Sequence, residues 1–386
     1  MIPIKYNLRN LRERWLTTLM AVVSTALVVW ASVLTFGFTD GLEHALTITG
    51  DPTDLIALRQ GSNDETGSTI APEVARDIAN LPGVAKTPQG EPMCSSEYVT
   101  ILVRPRRDGS RVNLIVRGLD PIGRSLRSNF QIVQGRDVEP GVNEAVTSQS
   151  MARRFQNLAI GEKLEINRVQ FTVVGYFTAN GTSAESEVWT DRRDVTGARR
   201  IPDAISSVNL RCSDEAALRE VQRRLENDDQ FKLKAVREPD YFEDQMSSSL
   251  ALKVIGFVIA GFLTFGAMFA AANTMYAAVA SRAREIGTLR ALGFRRRSIL
   301  FSFVLESVLL CLMGGLLGCL ATLPFSGFST GTANWATFSE ITFSFRFGPS
   351  ILLRGFLMSL AMGLIGGLLP AIRAVRLQIV HSLRQA

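Results

Sequence analysis

The residues able to do chemistry in this 386-residue chain are few, and their spacing excludes more than it allows. Its two histidines, His44 and His381, are expected on opposite sides of a membrane, so neither a histidine-rich metal site nor a zinc-protease helix can be assembled, and no metal ligands are assigned. No lysine follows a glycine anywhere, which removes the phosphate-binding loop that a P-loop ATPase requires. Gly327-Phe-Ser-Thr-Gly331 has the spelling of a nucleophile elbow. That motif needs a buried strand before it, a helix after it and a histidine partner on the same side, so the segment reads as a glycine-rich loop. Asn180-Gly-Thr182 spells a glycosylation sequon, a pattern common by chance. No catalytic residue is assigned, and the chain is expected to be non-catalytic and to hold no cofactor of its own.

What remains is sparse. Cys311 and Cys319 lie in an apolar run and read as small apolar side chains. Cys94 and Cys212 lie in a polar region, one in each of two strand-bearing parts, and are candidates for a disulfide in an oxidising compartment. Glu306 is an acid inside an apolar run. Such a residue faces a bundle interior or a wet cleft, or pairs with a nearby arginine, and either a structural role or one in transmitting motion follows.

The elements that must position these residues emerge from charge and hydropathy. The chain is 46% hydrophobic, with positive mean hydropathy and a pI near 9.4, too apolar for a plain soluble protein. Its basic excess is not spread evenly. Residues 1–14 carry four Lys/Arg against one acid, 281–298 six against one and 371–386 three against none, whereas 39–249 hold 26 basic and 32 acidic side chains. Short basic segments beside apolar runs are the positive-inside pattern, and they exclude a nucleic-acid-binding face.

Four spans satisfy every cluster, with both termini and the 281–298 loop inside: 16–38, 250–280, 299–324 and 350–372. Residues 1–15 interleave Ile4, Leu8, Leu11 and Trp15 with basic residues as an interfacial helix, and 373–386 form a cytoplasmic tail. A cleaved signal peptide is the rival reading of 16–38, but a stretch of about 23 uncharged residues exceeds the usual h-region of about 7–15. The loop 325–349, with one basic and one acidic residue, belongs outside. Gly314 with Gly318 and Gly363 with Gly367 are small-xxx-small pairs suited to close helix packing.

Residues 39–249 change to an α+β pattern. A strand 54–59 and a helix 71–81, with Pro72 in its first turn, precede strands 98–104 and 111–118 around the turn Asp108-Gly109. A β-rich middle follows, with a hairpin of 163–166 and 169–176. Strand 206–211, a helix 214–226 capped by Asp214 and strand 231–236 complete the region. The first and last parts look alike as strand–helix–strand units, which predicts one subdomain interrupted by another. The segment 241–252 then predicts a helical stalk into the second span.

Between the second and third spans stands Ser281-Arg-Ala-Arg-Glu-Ile-Gly-Thr-Leu-Arg-Ala-Leu-Gly-Phe-Arg-Arg-Arg-Ser298. As a helix it brings Ile286, Leu289 and Leu292 towards one side, and Gly293 fits its C-terminus. The word order Arg284, Glu285, Ile286, Gly287, Leu289, Arg290, Ala291, Leu292, Gly293 between two apolar runs resembles the signature of MacB-type (type VII) ABC transporter permeases of the MacB/LolC/FtsX superfamily. Gly135-Arg136, Asn143-Glu-Ala-Val146, Phe171-Thr-Val-Val-Gly-Tyr-Phe177 and Glu185-Ser-Glu-Val-Trp189 resemble the family's periplasmic core of porter and sabre subdomains. Phe303-Val-Leu-Glu-Ser307 and the ending from Pro370 to Arg384 match recurrent positions of the same family.

The resemblance implies a four-helix membrane permease of the bacterial inner membrane with a large α+β extracytoplasmic domain between its first two spans. In such a permease the 281–298 segment docks on an ABC ATPase, ATP and Mg reside in that partner, and a dimer performs mechanotransmission for efflux or extraction. A periplasmic adaptor of the membrane-fusion type is a further expected partner, the lipid bilayer is its surroundings and nucleic acid is not. Because this chain has no P-loop, the ATPase is expected on a separate polypeptide. The alternative is an FtsX-like signalling module that activates a periplasmic hydrolase.

Overall fold

The computed structural model describes residues 15–47, 50–127, 129–247, 250–333 and 340–376. Most of the interfacial helix expected over 1–15, and the tail beyond residue 376, lie outside the described residues. The chain divides into two compact units, one of residues 1–40, 252–328 and 345–386, the other of 41–251 and 329–344.

The first unit holds four helices long and apolar enough to cross a bilayer. They are α1 (Trp15–Thr47), which runs on into the second unit, then α7 (Leu250–Ser281), α9 (Arg296–Thr322) and α10 (Pro349–Arg376). Between α7 and α9 lies the short α8 (Ala283–Ala291). With no water in a bilayer core, helices satisfy every backbone group internally, and close packing of small residues then sets which helices touch. A methyl group placed on Gly318 would come within 2.7 Å of the Ala26 carbonyl of α1, and one on Gly314 within 2.8 Å of the Val22 carbonyl. On α10, Gly363 and Gly367 bring the helix against Val308 and Ser307 of α9 in the same way. Helix α7 is less embraced, and its Phe257, Phe262, Phe265 and Phe269 all point outward.

The second unit is built on one ten-stranded sheet. Its strands are β1 (Asp54–Arg59), β2 (Cys94–Pro105), β3 (Arg111–Leu119), β4 (Gln131–Gly135), β5 (Glu144–Ser148), β6 (Lys163–Ile166), β7 (Val169–Thr178), β8 (Glu187–Asp191), β9 (Ser207–Arg211) and β10 (Leu233–Arg237). They run in the order β10-β1-β9-β2-β3-β8-β5-β7-β4, with β6 paired to β7. Strand β1 thus sits between β9 and β10, which come some 150 residues later, and helices α2 (Pro72–Ala79) and α5 (Glu215–Asn227) cover the same core. This is the interrupted subdomain that the two similar strand–helix–strand patterns predict. The two subdomains do not have separate sheets, however: β3 pairs in parallel with β8 and makes them continuous.

Local chemistry fixes the joints. Asp214 accepts the Ala217 N–H at 2.8 Å and starts α5, and Asp191 caps α4 (Arg192–Arg199) in the same manner. Asn167 and Arg168, both with positive φ, make the tight turn between β6 and β7. Helix α3 (Gln149–Arg154) packs its Met151 and Ala152 beneath the β5–β7 region. The outgoing chain forms α6 (Glu238–Ser247) ahead of α7.

Loop 325–349 is more structured than its composition predicts. It contains the antiparallel pair β11 (Ser329–Ala333) and β12 (Glu340–Ser344), which belongs to the second unit. The Thr342 N–H donates to Ser186 Oγ at 2.7 Å, and Phe343 is buried. Polar and aromatic residues written off as a loop are here the pairing and anchoring groups of a hairpin.

Candidate coupling site

The segment between α7 and α9 is short because each of its bonds closes a turn. Gly293, at φ +90°, ends α8 with its N–H on the Arg290 carbonyl, a left-handed position that glycine occupies without a Cβ penalty. Arg295 is extended, and α9 begins at the next residue.

The helix has an inward and an outward side. Ile286 is 2% exposed and packs with Val22, Met275, Val279, Ile299, Phe303 and Ala371, drawn from all four long helices. Gly287 is also buried. An Arg290 Nη donates to the Val375 carbonyl at 3.2 Å. Outward stand Glu285, Ala291, Gly293 and, most prominently, Leu292 at 72% exposure. The side chains of Arg284 and Leu289 lie outside the described residues. Ile286 and Leu292, expected towards one side of the helix, therefore stand on different sides of it. Steps of three residues drift by about 60° each around a 3.6-residue helix, so positions six apart differ by about 120°.

Immediately before α8, Arg282 is buried and makes a two-pronged pair with Glu306 of α9, Nη1 to Oε2 at 2.7 Å and Nη2 to Oε1 at 3.0 Å. Its guanidinium also lies over the Phe303 ring at 5.9 Å. Glu306 is 4% exposed, so the pair ties the root of α8 to the middle of the bundle. A cavity of about 280 Å³ borders the pair, lined also by Thr274, Met275 and Leu310. Sequence reading singled out the acid but gave no means of choosing its arginine.

A second charged cluster was not legible at all. In the sheet domain, Arg117 of β3 uses all five N–H groups on Glu65, Glu97 and Glu187, at 2.7–2.8 Å. Glu97 is fully buried and also receives Arg127, whose guanidinium stacks over Trp189 at 5.2 Å. Burial raises the Glu97 pKa, but Arg127 and Arg117 overcome it and hold the carboxylate below its ordinary value. The cluster joins β2, β3, β8 and the loop after β1. Its members are spread from residue 65 to 187, and no spacing rule links them.

Cys94 and Cys212 reach the same core, yet both are free thiols. Cys94 pairs with Leu210, which makes Cys212 its diagonal neighbour across antiparallel strands. Diagonal residues stand about 7–8 Å apart, beyond the roughly 4.4–6.8 Å between Cα atoms that a disulfide spans. Burial pushes both thiols up to about 12. Cys311 is buried in the helical core, as a small apolar side chain would be.

Comparison with known proteins bears on the family of the chain. A family model described as MacB-like periplasmic core domain matches residues 18–228, and one described as FtsX-like permease C-terminal matches 257–379. The macrolide export ATP-binding/permease protein MacB of Chlorobium luteolum is 28% identical over 271 residues, 62% of this chain and 37% of the relative. The protein of the same name from Agrobacterium fabrum is 25% identical over 396 residues, 95% of this chain and 57% of the relative. The chain thus spans less than half the length of the first of these relatives. The crystal structure of the periplasmic region of MacB from Actinobacillus actinomycetemcomitans aligns with 52% of this chain and 94% of that one, at 12% identity and a TM-score of 0.37.

Proposed function

The chain belongs to the MacB/FtsX-type ABC transporter permeases, and from that premise we propose that it is the subunit through which a separate ABC ATPase moves an extracytoplasmic domain to drive export or extraction of a substrate. ATP and Mg act in the partner. This chain supplies the coupling helix, the spans and the domain that they move. The membrane concerned is the bacterial inner membrane.

The observation that carries the reading is the two-sided character of α8. A surface helix with no partner has no reason to hold one side rigidly in the bundle, through Ile286 and the adjacent Arg282–Glu306 pair, while presenting Leu292 almost bare on the other. Exposed leucine beside arginines 295–297 suits an apolar groove with an acidic rim. The outward phenylalanine face of α7 supports a second permease copy across the membrane. A periplasmic adaptor is a further partner of the same reading.

The test is Leu292→Asp in the full chain, co-expressed with its ATPase. Loss of a buried apolar anchor commonly costs about 1 kcal/mol or more at an interface, so at least fivefold weaker co-purification, or hydrolysis no longer coupled to export, is expected with normal membrane insertion. An unchanged complex with normal coupled export would refute the assignment.

A further inference from the structure

The sheet domain contains a half-enclosed cavity of about 140 Å³ whose walls come from five separate places in the chain, Arg117 of β3 among them. Gly50 to Pro52 bring the incoming chain, and Glu238 and Phe242 of α6 the outgoing one. Leu126, Arg127, Asn129 and Phe130 follow β3, and Thr182 to Ala184 precede β8. The two chain ends are in contact there. A methyl group on Gly50 would meet the Pro239 nitrogen at 3.0 Å, and the Asp51 N–H donates to Glu238 Oε2 at 3.1 Å.

The charges around this cavity do not balance. Arg117 has spent every donor on three carboxylates, and Arg127 is held by Glu97, the Gly123 carbonyl and the Trp189 ring. Arg211 is committed to Asp54 and Asp51. Glu238 is left without an ion pair among the described residues, and its Oε1 accepts no hydrogen bond there. Arg127 attracts Glu238 from a distance without pairing with it, and a confined carboxylate with no direct ion pair is costly. Phe130 and Phe242 line the same space, and aromatic rings within about 6 Å of a cation attract it.

We infer that this cavity is a binding site for a compact organic cation, an aryl- or alkyl-ammonium group, whose charge pairs with Glu238 while its apolar part lies between Phe130 and Phe242. The size is suitable, since an engineered apolar cavity of about 150 Å³ admits benzene. An anion is disfavoured because the guanidinium groups nearby are saturated, and a neutral molecule would leave Glu238 without a direct ion pair. A ligand there touches the root of α6 and the segment following α1 together, so its occupancy bears on the elements that connect the domain to the helices.

Protonation gives the site a signature. Burial raises Glu238 to about 7, Asp54 and Glu97 add to the rise, and Arg127 and the Asp51 N–H oppose it. The carboxylate is therefore ionised above pH 7 and neutral below it, and the pairing should be present at pH 8 and lost as the pH falls through 7. An ammonium of ordinary basicity stays charged throughout.

The experiment uses the full chain in nanodiscs, with benzylammonium as probe and benzyl alcohol as its uncharged match, followed by calorimetry at pH 6 and pH 8. Saturable binding of benzylammonium about tenfold tighter at pH 8 than at pH 6 is expected, with benzyl alcohol at least tenfold weaker than benzylammonium at pH 8. Glu238→Gln should remove the pH dependence and weaken binding at least tenfold, and Ala184→Trp, which fills the cavity and keeps the carboxylate, should abolish binding. Hydrogen exchange of the β8 amides verifies that both variants remain folded. Equal binding of the alcohol, unchanged binding by folded Glu238→Gln, or only non-saturable partition into the lipid would each overturn the inference.

Discussion

A charged side chain within a bilayer-spanning bundle is tolerated only with a partner, and the Arg282–Glu306 pair shows what that partnership does. The pair fixes the residue from which α8 departs by tying it to α9 through a two-pronged, charge-assisted contact. Removing one member of a buried pair commonly costs about 3–5 kcal/mol because the other charge is stranded. Glu306→Gln should accordingly lower the thermal midpoint of the detergent-solubilised protein, while the paired replacement Arg282→Met with Glu306→Leu should recover most of that loss. A double variant as unstable as the single one would show that the pair's worth is not mutual compensation. On the proposed coupling, hydrolysis by the partner ATPase is expected to be impaired in the double variant, since the apolar replacements restore packing but not the directional contact.

Among the elements, α9 is the helix around which the bundle is assembled, and its glycines are the reason. Gly314 and Gly318 admit the α1 backbone, and Gly363 and Gly367 of α10 admit α9 in turn. Gly261 of α7, by contrast, has open space where a side chain would project. Gly318→Val is therefore expected to reduce the folded yield and thermal midpoint strongly, overpacking at such contacts costing about 1–3 kcal/mol, whereas Gly261→Val leaves the bundle's stability within about 0.5 kcal/mol. Equal effects at the two positions would mean that helix propensity, not α1–α9 contact, decides the outcome. The hairpin of β11 and β12 shows the complementary case. Its Thr342–Ser186 bond and buried Phe343 anchor the connection between α9 and α10 to the sheet domain, although hydropathy marks that connection only as polar.

For the whole molecule, the positive-inside asymmetry of the sequence predicts a four-span topology with the 281–298 segment inside and residues 39–249 outside. In a cysteine-free background, an impermeant thiol reagent applied to intact spheroplasts should label Asp229→Cys, which is highly exposed on the sheet domain, and miss Arg297→Cys until the membrane is broken. Labelling of Arg297→Cys in intact cells would exclude the four-span arrangement. The sequence by itself determined the four apolar helices, the α+β domain after the first and the alternation of basic segments, because hydropathy, periodicity and charge are summed over contiguous residues. It also located α8 and Glu306, each conspicuous against its neighbours. Tertiary structure alone decided that Ile286 turns inward while Leu292 turns out, that Arg282 is the partner of Glu306, and that Cys94 and Cys212 stand diagonal and unbonded. It also gathered Glu65, Glu97, Arg117, Arg127 and Glu187 into one buried network. These are contacts between residues remote in sequence, and their energies depend on distance, burial and orientation, which the order of residues along the chain does not contain.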